Sequence, residues 1–523
     1  MIKNRTLLIY LITAPLFFMG LGDTYLWNDE AQTARLGASV LTHGVPLTGT
    51  GPDCVSADCS RDAGWRGLHL QIPFLQSYVA AASIGVFGPS SIAARLPFAL
   101  AGWACVGLAM WLAGLVGAAS KDRLLAGALV GTSVYFLLHA RQARYYAIAA
   151  MFVLLIAAGY WLFLQKRGRG TLLTAGLVGL VLTFDVAAVG ILLGLGLHAV
   201  TEWVRGRLTV PGLKHLALAL APPVAVLAMW LALTSSAPTR GDSTLSGLAL
   251  RAIYYPVQFN AHVLPLLVLL PALIVAGRRL LSEQRGQFVA LTGFLLAGGV
   301  AGAVLPPLYY PRYLIAFVPL TLVGLSVLVG MAAERSRSPR LAVALVGALL
   351  IAGVPHKLSH DIVLAVAEVV GVRAGTRLHP PEAWRPVLID FLGELRDPPR
   401  GPVAEVVEHL RAYADVGDAV VALYGVPTLR FHTHVLPYGG LACTTPTDVP
   451  EWIWIREPWR THARSSLALQ WLETNVDWDD YELVPLSAPD RKFENRADIH
   501  SHVFGNPGPA APPTKLYRRR STG

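Results

Sequence analysis

Charge is what this chain has least of. Asp, Glu, Lys and Arg make up only 15% of its 523 residues against 54% hydrophobic, which excludes a chain folded mainly in water. Cysteine is also sparse: Cys54, Cys59, Cys105 and Cys443. No C-x-x-C spacing is available for a zinc site built on Cys54, Cys59 and the nearby His43 or Asp58, so no metal site is assigned. Cys54 and Cys59 are spaced for a local disulfide in an oxidising exterior, with a pair of free thiols as the alternative. The apolar opening Leu7 to Gly22 follows Lys3 and Arg5 but lacks an A-x-A cleavage site, so it reads as an uncleaved first helix. The formal net charge of +10 is dispersed between apolar segments, whereas a nucleic-acid partner wants a basic, folded, water-exposed surface.

What is present is a series of apolar runs of about 17 to 25 residues, the length that crosses a bilayer. After the first, they lie near 92–115, 124–140, 147–164, 172–184, 186–204, 216–233, 263–277, 288–305, 313–331 and 341–354, which predicts about eleven spans. Basic residues occupy alternate connections: Lys3 and Arg5; Lys121 and Arg123; Lys166, Arg167 and Arg169; Arg205, Arg207 and Lys214; Arg278, Arg279 and Arg285; Arg335, Arg337 and Arg340. The positive-inside rule puts these in the cytoplasm, with the N-terminus, and puts the remaining connections and everything after Pro355 outside. Leu70 to Gly88 is apolar enough to cross, but Gln71, Pro73, Gln76 and Ser77 favour a helix on the outer surface.

The predicted architecture is an all-α polytopic bundle over 1–355, with a large first outer loop at 23–91, and a small extracytoplasmic α/β domain over 356–523. In that second part, charged residues and prolines rise. Val403, Val406, Val407 and Leu410 have helical spacing, Ala419 to Tyr424 reads as a strand, Ala463 to Glu473 as a helix and Lys515 to Tyr517 as a strand. Arg518, Arg519 and Arg520 read as a solvated tail or a contact for anionic headgroups.

The first outer loop is long and rich in groups able to do chemistry, among them Asp29, Glu30, Arg66 and His69. A carboxylate near low-dielectric lipid with an arginine beside it is suited to accept a proton, and Asp29 is the candidate base. Its structural alternative is an acidic first turn of a surface helix. The second outer connection holds Arg141, Arg144, Tyr145 and Tyr146, and the third holds Tyr310, Arg312 and Tyr313. Arg95 opens its own span. Arginines at one boundary suit a phosphate headgroup, although Tyr and Arg also anchor helices at that depth. Asp185 marks an outer hairpin, as a helix cap or as a cavity-lining group.

In this order, Trp27 to Ala31 with the helix to His43-Gly44, His69 to Gly88 leading to Ala93-Ala94-Arg95-Leu96-Pro97, Arg141 to Tyr146, and Arg312-Tyr313-Leu314 with Pro319 resemble the GT-C class of integral-membrane glycosyltransferases. Within that class they resemble in particular the dolichyl-phosphate-mannose protein mannosyltransferases and their bacterial relatives, including the aminoarabinose transferases. The resemblance covers roughly the first two thirds of the chain, and each motif is short. It implies a multi-pass enzyme of the plasma (inner) membrane that moves one sugar, with inversion, from a polyprenyl phosphate to a glycolipid, glycan or protein acceptor on the outer face. No cofactor is implied beyond that lipid-linked donor, and a divalent metal is left open. Carried onto this chain, Asp29 is catalytic with Glu30 supporting it. Arg144, Arg312, Arg95 and Tyr145 hold the donor phosphate, and Arg66, His69, Arg141, Asp185 and Tyr313 line the cavity. Two departures stand out: the second outer connection has no carboxylate, and His69 and Gln71 stand where Lys and a second Pro are often seen.

A transporter or flippase of a lipid-linked or anionic substrate is the main alternative. Transporters tend to show related halves, broken helices and mid-membrane ionisable groups, whereas here no repeat is evident and the polar residues crowd one face. A third reading is a membrane scaffold whose C-terminal module binds partners.

Overall fold

The computed structural model describes residues 2–49, 53–54, 67–168, 170–234, 244–306, 310–369, 387–440, 444–462, 465–492, 494, 497, 499, 502, 504 and 511–520. Arg66, Cys59, Cys443 and the Pro380-Pro381 joint lie outside the described residues.

In chain order the helices are α1 (Ile2–Phe18), α2 (Asn28–His43), α3 (Leu75–Phe87), α4 (Ser91–Leu115), α5 (Ser120–Thr132), α6 (Val134–Ala140), α7 (Tyr146–Leu164), α8 (Thr171–Val181), α9 (Asp185–Val204), α10 (Val210–Thr234), α11 (Leu245–His262), α12 (Leu266–Ala276), α13 (Arg279–Ser282) and α14 (Gln284–Val304). A 3-10 turn, Pro311–Phe317, runs into α15 (Val318–Ala333), followed by α16 (Pro339–Ile351), α17 (Val354–Val369), α18 (Val387–Arg396) and α19 (Pro402–Tyr413). Then come β1 (Ala419–Ala422), α20 (Val426–His432), β2 (Leu436–Gly439), β3 (Trp452–Ile455), α21 (Ser465–Asn475), β4 (Tyr481–Val484) and β5 (Lys515–Arg519).

Two compact units emerge. The first comprises residues 1–19, 98–141 and 145–392, and the second 20–97, 142–144 and 393–523. The composition break at Pro355 and the division by contacts therefore run differently: α17 packs with α11 and α12 in the first unit, and the first outer loop belongs with the C-terminal module.

Among the described residues of the chain, six helices are long and apolar enough to cross a membrane, or nine if each of three bent pairs is one span. The pairs are α5 with α6 (58°), α11 with α12 (86°) and α16 with α17 (64°). The expected count of eleven is not reached on this measure, because α1 and α8 are shorter than a span. The chain is a multi-pass membrane protein. Inside the first unit, α9 and α14 meet along a glycine seam. A Cβ at Gly190 would lie 2.8 Å from the Gly298 carbonyl, and one at Gly194 would lie 2.6 Å from that of Phe294, so only hydrogen side chains permit this backbone approach. Three of the basic connections, those of Lys121, of Arg279 with Arg285, and of the stretch after α15, lie together in this unit. Lys121 reaches the Gly330 carbonyl at 3.4 Å, and Arg279 and Arg285 each bond Glu334 at 2.5 Å.

In the second unit, α2 and α3 cross where Gly37 meets Ala80 and Ala81, and α2 also packs on α20. Behind α20 lies a five-stranded sheet of order β2-β1-β3-β5-β4. Strands β1, β2 and β3 are parallel, and β5 runs antiparallel to β3 and β4. Val403, Val406, Val407 and Leu410, the predicted helical stripe, pack under Val420, Trp452 and Trp454. Arg518 and Arg519 are in β5, and the Arg520 N–H bonds the Asp480 carbonyl. Arg518 and Arg519 thus belong to a sheet strand and not to a solvated tail, because β3 and β4 supply ladder partners that local composition does not reveal.

Candidate functional site

The second unit gathers Asp29, Glu30, Arg95, Arg144 and His69. Helix α2 starts at Asn28 because Glu30 reaches back to the Trp27 N–H (3.3 Å), and it ends at Gly44, whose φ of 76° suits glycine. Glu30 is fully buried. Its carboxylate also accepts from Arg95 Nε and Nη2 at 2.7 and 2.6 Å and from the Ala143 N–H at 2.9 Å. Arg95 in turn donates to the carbonyls of Leu21 (2.9 Å), Thr24 (2.9 Å) and Tyr25 (3.1 Å). One ion pair thus joins the approach to α2, the start of α4 and the 142–144 turn.

Asp29 is the neighbouring carboxylate and differs in access: its side chain is 22% exposed, against 0% for Glu30. Arg144 Nη2 lies 3.7 Å from Asp29 Oδ2, and Nη1 donates to the Asp29 carbonyl (3.2 Å), Thr33 Oγ1 (3.3 Å) and Gln32 Oε1 (3.4 Å). The result is a partly open carboxylate at the positive end of a helix, oriented by a buried guanidinium.

Two arginines expected at the donor phosphate have protein partners here. Arg95, assigned to the donor phosphate, is committed to Glu30 and backbone carbonyls. Arg144, assigned likewise, is engaged with Asp29 and the first turn of α2. A buried carboxylate such as Glu30 requires a cation, and here it is met by a residue 65 positions away that no local pattern identifies.

His69 is buried, and its backbone N–H bonds the Pro46 carbonyl at 3.0 Å. Burial first, and then the charge of Arg144, lower its imidazole pKa to about 3, so the ring is neutral. The loop also joins the C-terminal module within this unit. The Leu26 N–H donates to His432 Nε2 (3.1 Å), and Asp53 Oδ1 accepts from Arg430 (2.9 Å) and Arg35 (3.4 Å). Cys54 is disulfide-bonded.

The first unit holds the remaining candidates. Arg312 lies over the Tyr310 ring, 4.0 Å from its centroid. Tyr313 contacts Tyr310 and Phe184, and Phe184 stacks on Tyr145 at 4.4 Å, so these form one aromatic string around Arg312. Asp185, the first residue of α9, accepts from the Val186 N–H (3.0 Å) and from Trp230 Nε1 (3.2 Å), a tie to α10. Arg141 bonds the Leu16 carbonyl at 3.1 Å and sits 5.7 Å from the Phe391 ring. Sequence reasoning missed α11, which brings the buried Arg251 and Tyr255 to the Tyr310–Tyr313 segment. Arg251, set among Leu248, Leu250 and Ile253 in the first half of that helix, was the available signal. Among the described residues, no three His, Cys, Asp or Glu side chains are grouped to hold a metal ion.

No family model matches the chain, and no curated protein matches it in sequence. Solved structures do. ArnT from Cupriavidus metallidurans in the apo state superposes with a TM-score of 0.52 at 16% identity, over 84% of this chain and 86% of ArnT. The Archaeoglobus fulgidus oligosaccharyltransferase tethered with an acceptor peptide containing the NVT sequon gives 0.52 at 12% identity, over 91% of this chain and 71% of that one. The same enzyme in complex with Zn and sulfate gives 0.50 at 14% identity, over 83% of this chain and 62% of that one. The chain has the fold shared by these GT-C glycosyltransferases.

Proposed function

We propose that this protein is a membrane glycosyltransferase that moves a single sugar from a polyprenyl phosphate to an acceptor on the outer face of the membrane, with inversion at the anomeric carbon. The observation that carries this reading is the asymmetry of the acidic pair. Glu30 is closed off by Arg95 and two backbone N–H groups, while Asp29 is partly open and held by Arg144.

Asp29 aligns the attacking hydroxyl or amine and takes its proton. Arg312, with Tyr145 and Tyr313 on the same aromatic string, holds the phosphate, whose charge rises as the sugar leaves. Arg95 and Arg144 act as positioning residues for the acidic pair. The apolar helices of the first unit accommodate the prenyl tail. The basic connections face the cytoplasm, with the N-terminus, and the 356–523 module faces outward in the plasma (inner) membrane.

The three bent helix pairs favour a second reading, a transporter or flippase, since broken helices are common in such proteins. One experiment separates the two. Purified protein in nanodiscs is given a panel of undecaprenyl-phosphate hexoses and pentoses with lipid A, peptide and glycan acceptors, with and without EDTA. Release of undecaprenyl phosphate with a glycosylated acceptor supports the transferase. Intact donor crossing the bilayer of proteoliposomes, with no phosphate carrier released under any condition, refutes it.

A further inference from the structure

Three neutral side chains near α2, those of His69, Trp27 and Gln76, hold buried polar atoms with no hydrogen-bond partner among the described residues. His69 is 1% exposed, and among the described residues neither ring nitrogen has a hydrogen-bond partner. Trp27 Nε1, two residues before Asp29, and Gln76 Oε1, in the first turn of α3, are likewise buried and unpaired among the described residues. Buried polar atoms are overwhelmingly hydrogen-bonded, and each one left open costs free energy that a ligand recovers. The backbone at His69 is fixed: its main-chain N–H bonds the Pro46 carbonyl, and the adjacent Leu68 pairs with Leu47 across a short antiparallel bridge.

The chemistry of these groups is specific. A neutral imidazole offers one donor and one acceptor, an indole one donor, and an amide oxygen one acceptor. A phosphate offers only acceptors and favours cations, whereas a hydroxyl both donates and accepts. Burial first, and then the nearby charge of Arg144, disfavours an imidazolium at His69, so the ring itself adds no positive charge at that position.

We propose that His69 is a substrate-contacting residue that hydrogen-bonds a sugar hydroxyl, on the transferred sugar or on a glycan acceptor, and that it does not hold the donor phosphate. The inference rests on the transferase reading and deepens it, by assigning the carbohydrate-recognising side of the site to neutral groups beside Arg144.

The test uses full-length protein in nanodiscs and the variants His69→Ala, His69→Gln and His69→Lys. Two quantities are measured: binding of bare undecaprenyl phosphate, and KM and kcat with the donor and acceptor that wild type uses. The expected result is a rise in KM of about 10-fold for His69→Ala, with bare undecaprenyl phosphate bound as by wild type. His69→Gln, which keeps a donor and an acceptor, restores KM to within about 3-fold, while His69→Lys does not. A rise confined to the donor KM assigns the transferred sugar, and one confined to the acceptor KM assigns the acceptor. Loss of binding to bare undecaprenyl phosphate with rescue by Lys overturns the inference, as does an unchanged KM in His69→Ala. Should His69→Ala not fold, the Gln and Lys pair decides alone, since equal KM values for the two overturn it. Wild type that releases no undecaprenyl phosphate from any donor refutes the transferase reading itself, a separate result.

Discussion

Replacing Glu30 with Gln removes one charge from the most enclosed ion pair near the acidic motif, and its cost follows from the contacts. Four hydrogen bonds converge on the carboxylate, two from Arg95 and one each from the Trp27 and Ala143 backbone. The amide keeps one acceptor oxygen, turns an NH2 group toward at least one donor and leaves Arg95, itself 5% exposed, without a counter-charge. Breaking a buried pair from one side typically costs about 3–5 kcal/mol. Replacing both partners by apolar groups of similar volume, as in Glu30→Leu with Arg95→Met, removes the stranded charge as well. The double variant is therefore expected to be more stable than Glu30→Gln by about 1–3 kcal/mol, and the cycle of Glu30→Leu, Arg95→Met and their double to give a coupling energy above about 2 kcal/mol. Unfolding in detergent micelles followed by tryptophan fluorescence reads these differences. The reasoning is refuted if Glu30→Gln loses under about 1 kcal/mol, or if the single and double effects simply add.

Arg312→Ala should weaken binding of bare undecaprenyl phosphate by about 10–100-fold, the worth of a charge-assisted hydrogen bond, and Arg312→Lys should fall between because it keeps the charge without the planar fork. Calorimetric titration into nanodiscs measures both. Arg144→Met should leave that binding unchanged and lower kcat, because Arg144 acts on Asp29, and a lost affinity for the phosphate would reverse the assignment. Burial first, and then Arg411 and Arg95, lower the His432 pKa from 6.5 to about 3. The unfolded chain therefore binds more protons than the folded one below pH 6.5. The stabilisation from His432 is complete above that pH and falls on acidification, by about 2 kcal/mol at pH 5. A His432→Gln protein should have a shallower stability profile between pH 6.5 and 5, and identical slopes would contradict this.

The sequence made the membrane segments and the α/β tail legible because both are local signals. Runs such as 147–164 and 288–305 are apolar without interruption, and Val403, Val406, Val407 and Leu410 fall on one helical face. What escaped was non-local or broken. Helix α11 carries Arg251, Gln258, Asn260 and His262 and so did not read as a span. Its bend onto α12 follows Val263-Leu264-Pro265, where proline cannot continue the preceding helix. The acidic motif was recognised, but its partners were not. Arg95, Ala143 and Arg144 lie 65 to 115 residues from it, and an arginine at a membrane boundary looks alike whether it faces a phosphate or a carboxylate.

The partly open carboxylate of Asp29 bears the account most directly. Asp29→Asn is to be compared with wild type in nanodiscs, using a donor from which wild type releases undecaprenyl phosphate. A fall in release of at least about 100-fold is expected, with unchanged binding of bare undecaprenyl phosphate and an unchanged unfolding midpoint. An Asp29→Asn protein that releases undecaprenyl phosphate at the wild-type rate would contradict the account.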